Sequence, residues 1–186
     1  DDPIAALAGC LSIPCCRGAE EDCLDRYYQA AREHRADVVV RLTGDNPLVE
    51  HDFVDWVVRE YLAAAPPCDY VDTSASKTFP LGLSVEVFSF AALEAAWQED
   101  ANRQWREHVT PFIYRHPDRF RVRHLASPLN LAHVRWTVDT PEDLAFVRRI
   151  FEHFGHDQFS WAEALSLLQV HPEWMEINQQ VQQKVI

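Results

Sequence analysis

Two aspartates stand where an α/β enzyme places acids that handle a charged substrate. In DVVVRLTGDNPLV, residues 37–49, the apolar run Val38-Val39-Val40 breaks at Arg41 and Thr43 and passes at once into Gly44-Asp45-Asn46-Pro47. In RWTVDTPEDL, residues 135–144, a second short apolar stretch ends on Asp139. A hard divalent cation such as Mg²⁺ takes carboxylate oxygens, keeps several waters and completes its shell from substrate phosphates, so two acids at adjacent strand ends suffice to hold one. Each acid also has a local use. Asp in a G-D-N-P turn bonds its own backbone, and Asp139 ahead of Thr140-Pro141 favours the helix dipole. Spacing alone favours those local uses.

The elements around the two acids alternate. Glu20 to His34 puts Leu24, Tyr27, Tyr28 and Ala31 on one helical face, and DVVVRL then reads as a strand covered on both faces. Glu50 to Ala65 repeats the helical pattern until Pro66-Pro67 stops it. CDYVDT and SVEVFSF (84–90) read as strands. A helix is expected over Ala91 to Trp97, and another over WREHVTPFIYRH, broken or restarted at Pro111. FRVRHL reads as a strand, as does Arg135 to Val138. Thr140, Pro141 and Asp143 then form a capping box with proline at the first helical position, opening a helix with Leu144, Val147, Phe151 and Phe154 on its stripe and Gly155 at its end. Helices from Trp161 to Val170 and from Pro172 to Val185 complete the chain. Short connections between alternating strands and helices predict a mainly parallel sheet with helices on both faces, in which ligands sit beyond the carboxyl ends of the strands. Asp45 and Asp139 both hold such positions.

Length and composition predict one domain, residues 1–186, with a helical C-terminal segment over 157–186. A net charge of −12, from 17 basic and 29 acidic residues, argues against binding nucleic acid. The basic stretch Arg115 to Arg123 reads as the exposed half of an alternating strand. No apolar run is long enough for a membrane span. Cys10, Cys15, Cys16, Cys23 and Cys68 are odd in number and contain no C-x-x-C, which predicts reduced thiols and a cytoplasmic protein. No G-x-S-x-G, P-loop or G-x-G-x-x-G occurs, and the histidines show no ligand spacing.

RGAEEDCLDRYYQAAREHRADVVVRLTGDNPLV, PLGLSVEVFSFAALEAAW, REHVTPFIYRHPDRFRV, RWTVDTPEDL and EINQQVQQKV, taken together and in order, resemble the cytidylyltransferase family of spore coat polysaccharide biosynthesis, related to the 3-deoxy-manno-octulosonate and acylneuraminate cytidylyltransferases. The resemblance implies a nucleotide-diphospho-sugar transferase fold, a three-layer α/β/α sandwich of GT-A-like, Rossmann-like type. It also implies transfer of CMP from CTP to a sugar, with CTP and the sugar as partners and Mg²⁺ held by Asp45 and Asp139 as the catalytic pair. Arg17 and Gly18 match the family's R-G segment and, with Gly44 and Asp45, are the expected nucleotide contacts. Gly82, Glu86, Arg106, His108 and Arg135 are the expected sugar contacts. Glu86 is an acid among apolar neighbours and needs a partner; sugar recognition is slightly preferred over a structural salt bridge.

Two departures qualify the resemblance. Ser84 stands where family members often carry an acid, in PLGLSVEVF. The family's opening strand and its G-S-T-R-L-P-G-K-like phosphate loop have no match; DDPIAALAGC reads as the body of a helix, so the chain is expected to be partial, lacking the N-terminal strands, and weakly active alone. A noncatalytic nucleotide-sugar-binding or dimerisation relative is the main alternative, and a metal-dependent glycosyltransferase a weaker one, since residue 47 is Pro where D-x-D would need an acid. A homodimer formed through the C-terminal EINQQVQQKVI is also an expectation.

Overall fold

In the computed structural model, which describes residues 1–183, four short strands among the described residues make one sheet: β1 (Val38–Arg41), β2 (Tyr70–Asp72), β3 (Glu86–Ser89) and β4 (Val122–His124), in the spatial order β1-β3-β2-β4. β2 and β4 are parallel, with Tyr70 opposite Val122 and Asp72 opposite His124. The interior strands are the buried ones: all of β2 and Glu86 to Phe88 of β3. The expectation that DVVVRL is covered on both faces holds in part: β1, at the end of the strand order, has Val38, Val39 and Arg41 half-buried and Val40 37% exposed.

The chain divides into two units, with the boundary running through β1 and β3. The first comprises Asp1–Val39 and Phe88–Phe120. Its helices are α1 (Asp2–Cys10), α2 (Cys23–Glu33), and, in the second segment, α4 (Phe90–Glu99), α5 (Arg103–His108) and α6 (Pro111–Tyr114). Of the stripe read from sequence, Leu24, Tyr28 and Ala31 are buried and Tyr27 is half-buried. Tyr28 stacks on Trp97 with ring centres 4.0 Å apart, and the Trp97 indole N–H donates to Asp25 at 2.8 Å. The break expected at Pro111 in the helix over 105–116 is present: α5 ends at His108, Val109 takes φ 71, and α6 starts at Pro111. α1 buries nothing.

The second unit comprises Val40–Val87 and Arg121–Ile186 and contains α3 (His51–Leu62), α7 (Pro141–Phe154), α8 (Trp161–Val170) and a 3₁₀ turn over Pro172–Ile177. Phe53 meets Phe79 and Trp161 edge-on at 5.3 and 6.1 Å. α7 opens with the expected capping box of Thr140 and Asp143 and closes on Gly155 in the left-handed conformation, and it buries Phe146, Val147 and Ile150.

Two expected elements are corrected in this unit. The strand Arg135–Val138 contracts to a single parallel bridge, Leu81 opposite Arg135, with Leu81 N–H on the Val134 carbonyl at 2.9 Å and Trp136 N–H on the Leu81 carbonyl at 2.6 Å. Pairing stops because Gly82 follows with φ +108, a conformation open to glycine. A Cβ there would stand 2.5 Å from the Thr137 nitrogen. Of the helix expected from Pro172 to Val185, the described part is a 3₁₀ turn over Pro172–Ile177 followed by non-helical chain to residue 183. Lys184–Ile186 lie outside the described residues. All five cysteines are free, and no described helix is long and apolar enough to cross a membrane.

Candidate active site

Asp45 is held by its own turn. The Thr43 hydroxyl donates to Asp45 Oδ1, the Asn46 amide donates to the Thr43 hydroxyl at 2.8 Å, and Asn46 N–H closes the turn on the Thr43 carbonyl at 3.2 Å. This is the short-range bonding that Asp, Asn and Thr supply in turns. Asp45 is half-buried, and no atom lies within 4 Å of where a Cβ on Gly44 would be.

The second acid is held at longer range. Arg135 forks onto Asp143, Nε to Oδ1 and Nη2 to Oδ2, both at 2.8 Å. Nη2 also donates to Asp139 Oδ2 at 2.7 Å. Asp143 Oδ2 accepts the backbone N–H of Asp139 and of Thr140, each at 3.1 Å. Asn178 donates to Asp143 Oδ1 at 2.9 Å and to the Arg135 carbonyl at 3.1 Å. Asp143 has no exposed surface. Burial raises its pKa, but hydrogen bonds from Arg135, Asn178 and the Asp139 backbone, with the Arg135 charge, outweigh it and hold the carboxyl well below the usual 3.8. The buried charge is thereby paired and its acceptors used, as such a charge requires. Asp139 itself stays exposed at 42% of its side chain.

The two turns abut. Val138 N–H donates to the Asp45 carbonyl at 2.8 Å, and the Thr137 hydroxyl reaches the same oxygen at 3.4 Å. Two carboxylates, each partly open to solvent and offering only oxygen, fit a hard divalent cation rather than a thiolate- or imidazole-preferring one. With Arg135 on Asp139 Oδ2 and Thr43 on Asp45 Oδ1, one oxygen of each acid is left by these bonds for a ligand. The only cluster of three potential metal ligands among the described residues is Glu50, His51 and Asp52, where Glu50 caps α3 through the Asp52 N–H at 3.0 Å.

The remaining expected contacts divide by unit. In the second unit Glu86 is buried, accepting the Tyr70 hydroxyl at 2.6 Å and pairing with Arg41, which supplies the partner its burial demands. Gly82 gives the close backbone approach to Thr137 described above. In the first unit Arg106 donates to Asp22 at 3.0 and 2.8 Å and to the carbonyls of Trp97 and Asp100. His108 ends α5, half-buried. Arg17 pairs with Asp2 at 2.8 Å on an exposed surface, and Gly18 lies against the Arg26 side chain. Asn178 and Gln183, from the segment expected to project toward a second subunit, bond Arg135 of their own chain. Arg41, Tyr70 and Asn178 escaped the sequence reading. The acid in SVEVF announced a partner without naming it, and the only trace of Asn178 was its place in EINQQVQQKV.

Residues 4–176 match the family model described as cytidylyltransferase. The chain is 40% identical over 186 residues to an uncharacterized protein of Methanocaldococcus jannaschii, covering 99% of this chain and 74% of that protein. It is 30% identical over 161 residues to the spore coat polysaccharide biosynthesis protein SpsF of Bacillus subtilis, covering 84% of this chain and 65% of that protein. A solved cytidylyltransferase structure from Leptospira borgpetersenii serovar Hardjo-bovis shares the fold, with TM-score 0.91 over 100% of this chain and 76% of that one at 24% identity. The chain belongs to the cytidylyltransferase family. Its fold is the expected α/β class, and its activity class is that of a nucleotidyltransferase.

Proposed function

We propose that the protein is a Mg²⁺-dependent sugar cytidylyltransferase, converting CTP and a sugar into a CMP-sugar and pyrophosphate for surface polysaccharide or glycan assembly. The observation that carries this reading is the Val138 to Asp45 hydrogen bond, which brings the two acid-bearing turns side by side within a member of a nucleotidyltransferase family. A sugar hydroxyl oxygen forms a bond to the α-phosphorus of CTP while the bond from that phosphorus to the bridging oxygen of pyrophosphate breaks in line. The hydroxyl proton passes to solvent. Such transfer depends on positioning and charge neutralisation. Asp45 and Asp139 would hold Mg²⁺, which when bound supplies Lewis-acid neutralisation at the phosphates.

This chain's residues do the positioning. Thr43 and Arg135 orient the two carboxylates, and Gly44, with open space over its α-carbon, lets the nucleotide approach the backbone. Arg17 and Gly18 are assigned to the nucleotide, and His108 to the sugar. The Arg41 and Tyr70 partners of Glu86 support a structural role for that acid. The test is pyrophosphate release from CTP with candidate sugars by the protein in its natural form. Sugar-dependent release that is lost in both Asp45→Ala and Asp139→Ala supports the assignment; near-native turnover in either variant overturns the two-acid site.

A further inference from the structure

The turn that carries Asp139 is braced at both ends by one side chain. Arg135, at its start, is joined to Leu81 by a single isolated bridge, so no ladder fixes the backbone there. Asp143, at its end, is a fully buried carboxylate. Asn178, itself 5% exposed, gives its amide to both, to the Arg135 carbonyl at 3.1 Å and to Asp143 Oδ1 at 2.9 Å. Asp139 lies midway between these two points. Its backbone N–H is held by Asp143 and its Oδ2 by Arg135, so both restraints on Asp139 come from groups that Asn178 ties together.

We propose that Asn178 is a positioning residue for Asp139, making the segment that follows α8 a working part of the metal and triphosphate site. This rests on reading Asp139 as a metal ligand. Groups that orient a ligand from outside the coordination sphere typically change metal affinity by about 10- to 100-fold when removed. Asn178 is uncharged, so its loss leaves Arg135 and both acids with their charges. The effect is one of orientation.

The experiment is Mn²⁺ titration of the nucleotide-free protein, followed by the EPR signal of the free ion, for the parent, Asn178→Ala, Asn178→Ser, Asp139→Ala and Leu168→Ala. Leu168 is buried in α8 and, being apolar, takes no part in the hydrogen bonds of the turn, so it serves as a destabilised control, with melting temperatures recorded for all. Asn178→Ala is expected to weaken Mn²⁺ binding about 10-fold and Asn178→Ser, which offers one donor to two acceptors, about 3-fold. Leu168→Ala is expected to leave affinity unchanged and Asp139→Ala to remove binding. If Asn178→Ala does not fold, the serine variant decides the matter alone. The proposal is overturned if the Asn178 variants bind Mn²⁺ like the parent while Asp139→Ala does not, or if Leu168→Ala weakens binding as much as they do. Should Asp139→Ala bind normally, the metal reading fails and the positioning role with it.

Discussion

The two acid-bearing turns hold their carboxylates by different means. Asp45 is oriented by Thr43 and Asn46, residues within two positions of it, at a half-buried site. Asp139 is oriented through Arg135, a buried Asp143 and an asparagine 35 positions beyond Asp143. A turn built from its own side chains needs little from the rest of the molecule, whereas a buried ionic network works only if every member is in place. The two sites should therefore respond alike when an acid is removed and differently when its support is.

The largest effect expected is the common one. Asp45→Ala and Asp139→Ala should each lower the rate of pyrophosphate release about 1000-fold, the equivalent of about 4 kcal/mol of lost charge stabilisation, with little change in melting temperature. A result in which only one of them matters would break the symmetry of the pair.

Removing the supports separates the turns. Asp143→Ala leaves Arg135 without its main partner and should cost about 3 kcal/mol of stability by chemical denaturation. Thr43→Ala removes one partly exposed hydrogen bond and should cost about 1 kcal/mol or less. Acid sharpens the contrast. Native Asp143 holds its proton less tightly than the unfolded chain does, so its contribution is complete above about pH 4 and declines below it as the unfolded chain takes up the proton first, by up to about 1.4 kcal/mol per pH unit. Asp143→Asn should flatten that acid limb. An unchanged slope would mean that the network is not the source of the acid sensitivity.

These differences also explain what the sequence disclosed. G-D-N-P carries its turn chemistry in adjacent letters, and T-P-E-D announced the capping box that the structure contains. Nothing local shows that Asp143, which reads as a helix cap, also forks with Arg135 eight residues before it and takes the amide of Asn178. The strand expected at 135–138 is one bridge because Gly82, on the other segment, turns away from pairing with a positive φ. Glu86 declared its need for a partner, while the choice of Arg41 and Tyr70 followed from the order β1-β3-β2, which alternation does not specify.

The glycines give the same contrast in its smallest form. Gly82→Ala would force a side chain into a positive φ and against the Thr137 backbone, at about 2 kcal/mol or more. Gly44→Ala meets nothing within 4 Å and should change stability by less than about 0.5 kcal/mol. A methyl group that the fold accepts can still obstruct a ligand approaching the turn backbone. Gly44→Ala is thus expected to keep the parental melting temperature while weakening CTP binding by calorimetry about 10-fold, since each 1.4 kcal/mol of lost contact is one decade of affinity. Unchanged CTP affinity would remove Gly44 from the nucleotide site and leave it as a residue that only shapes the turn around Asp45.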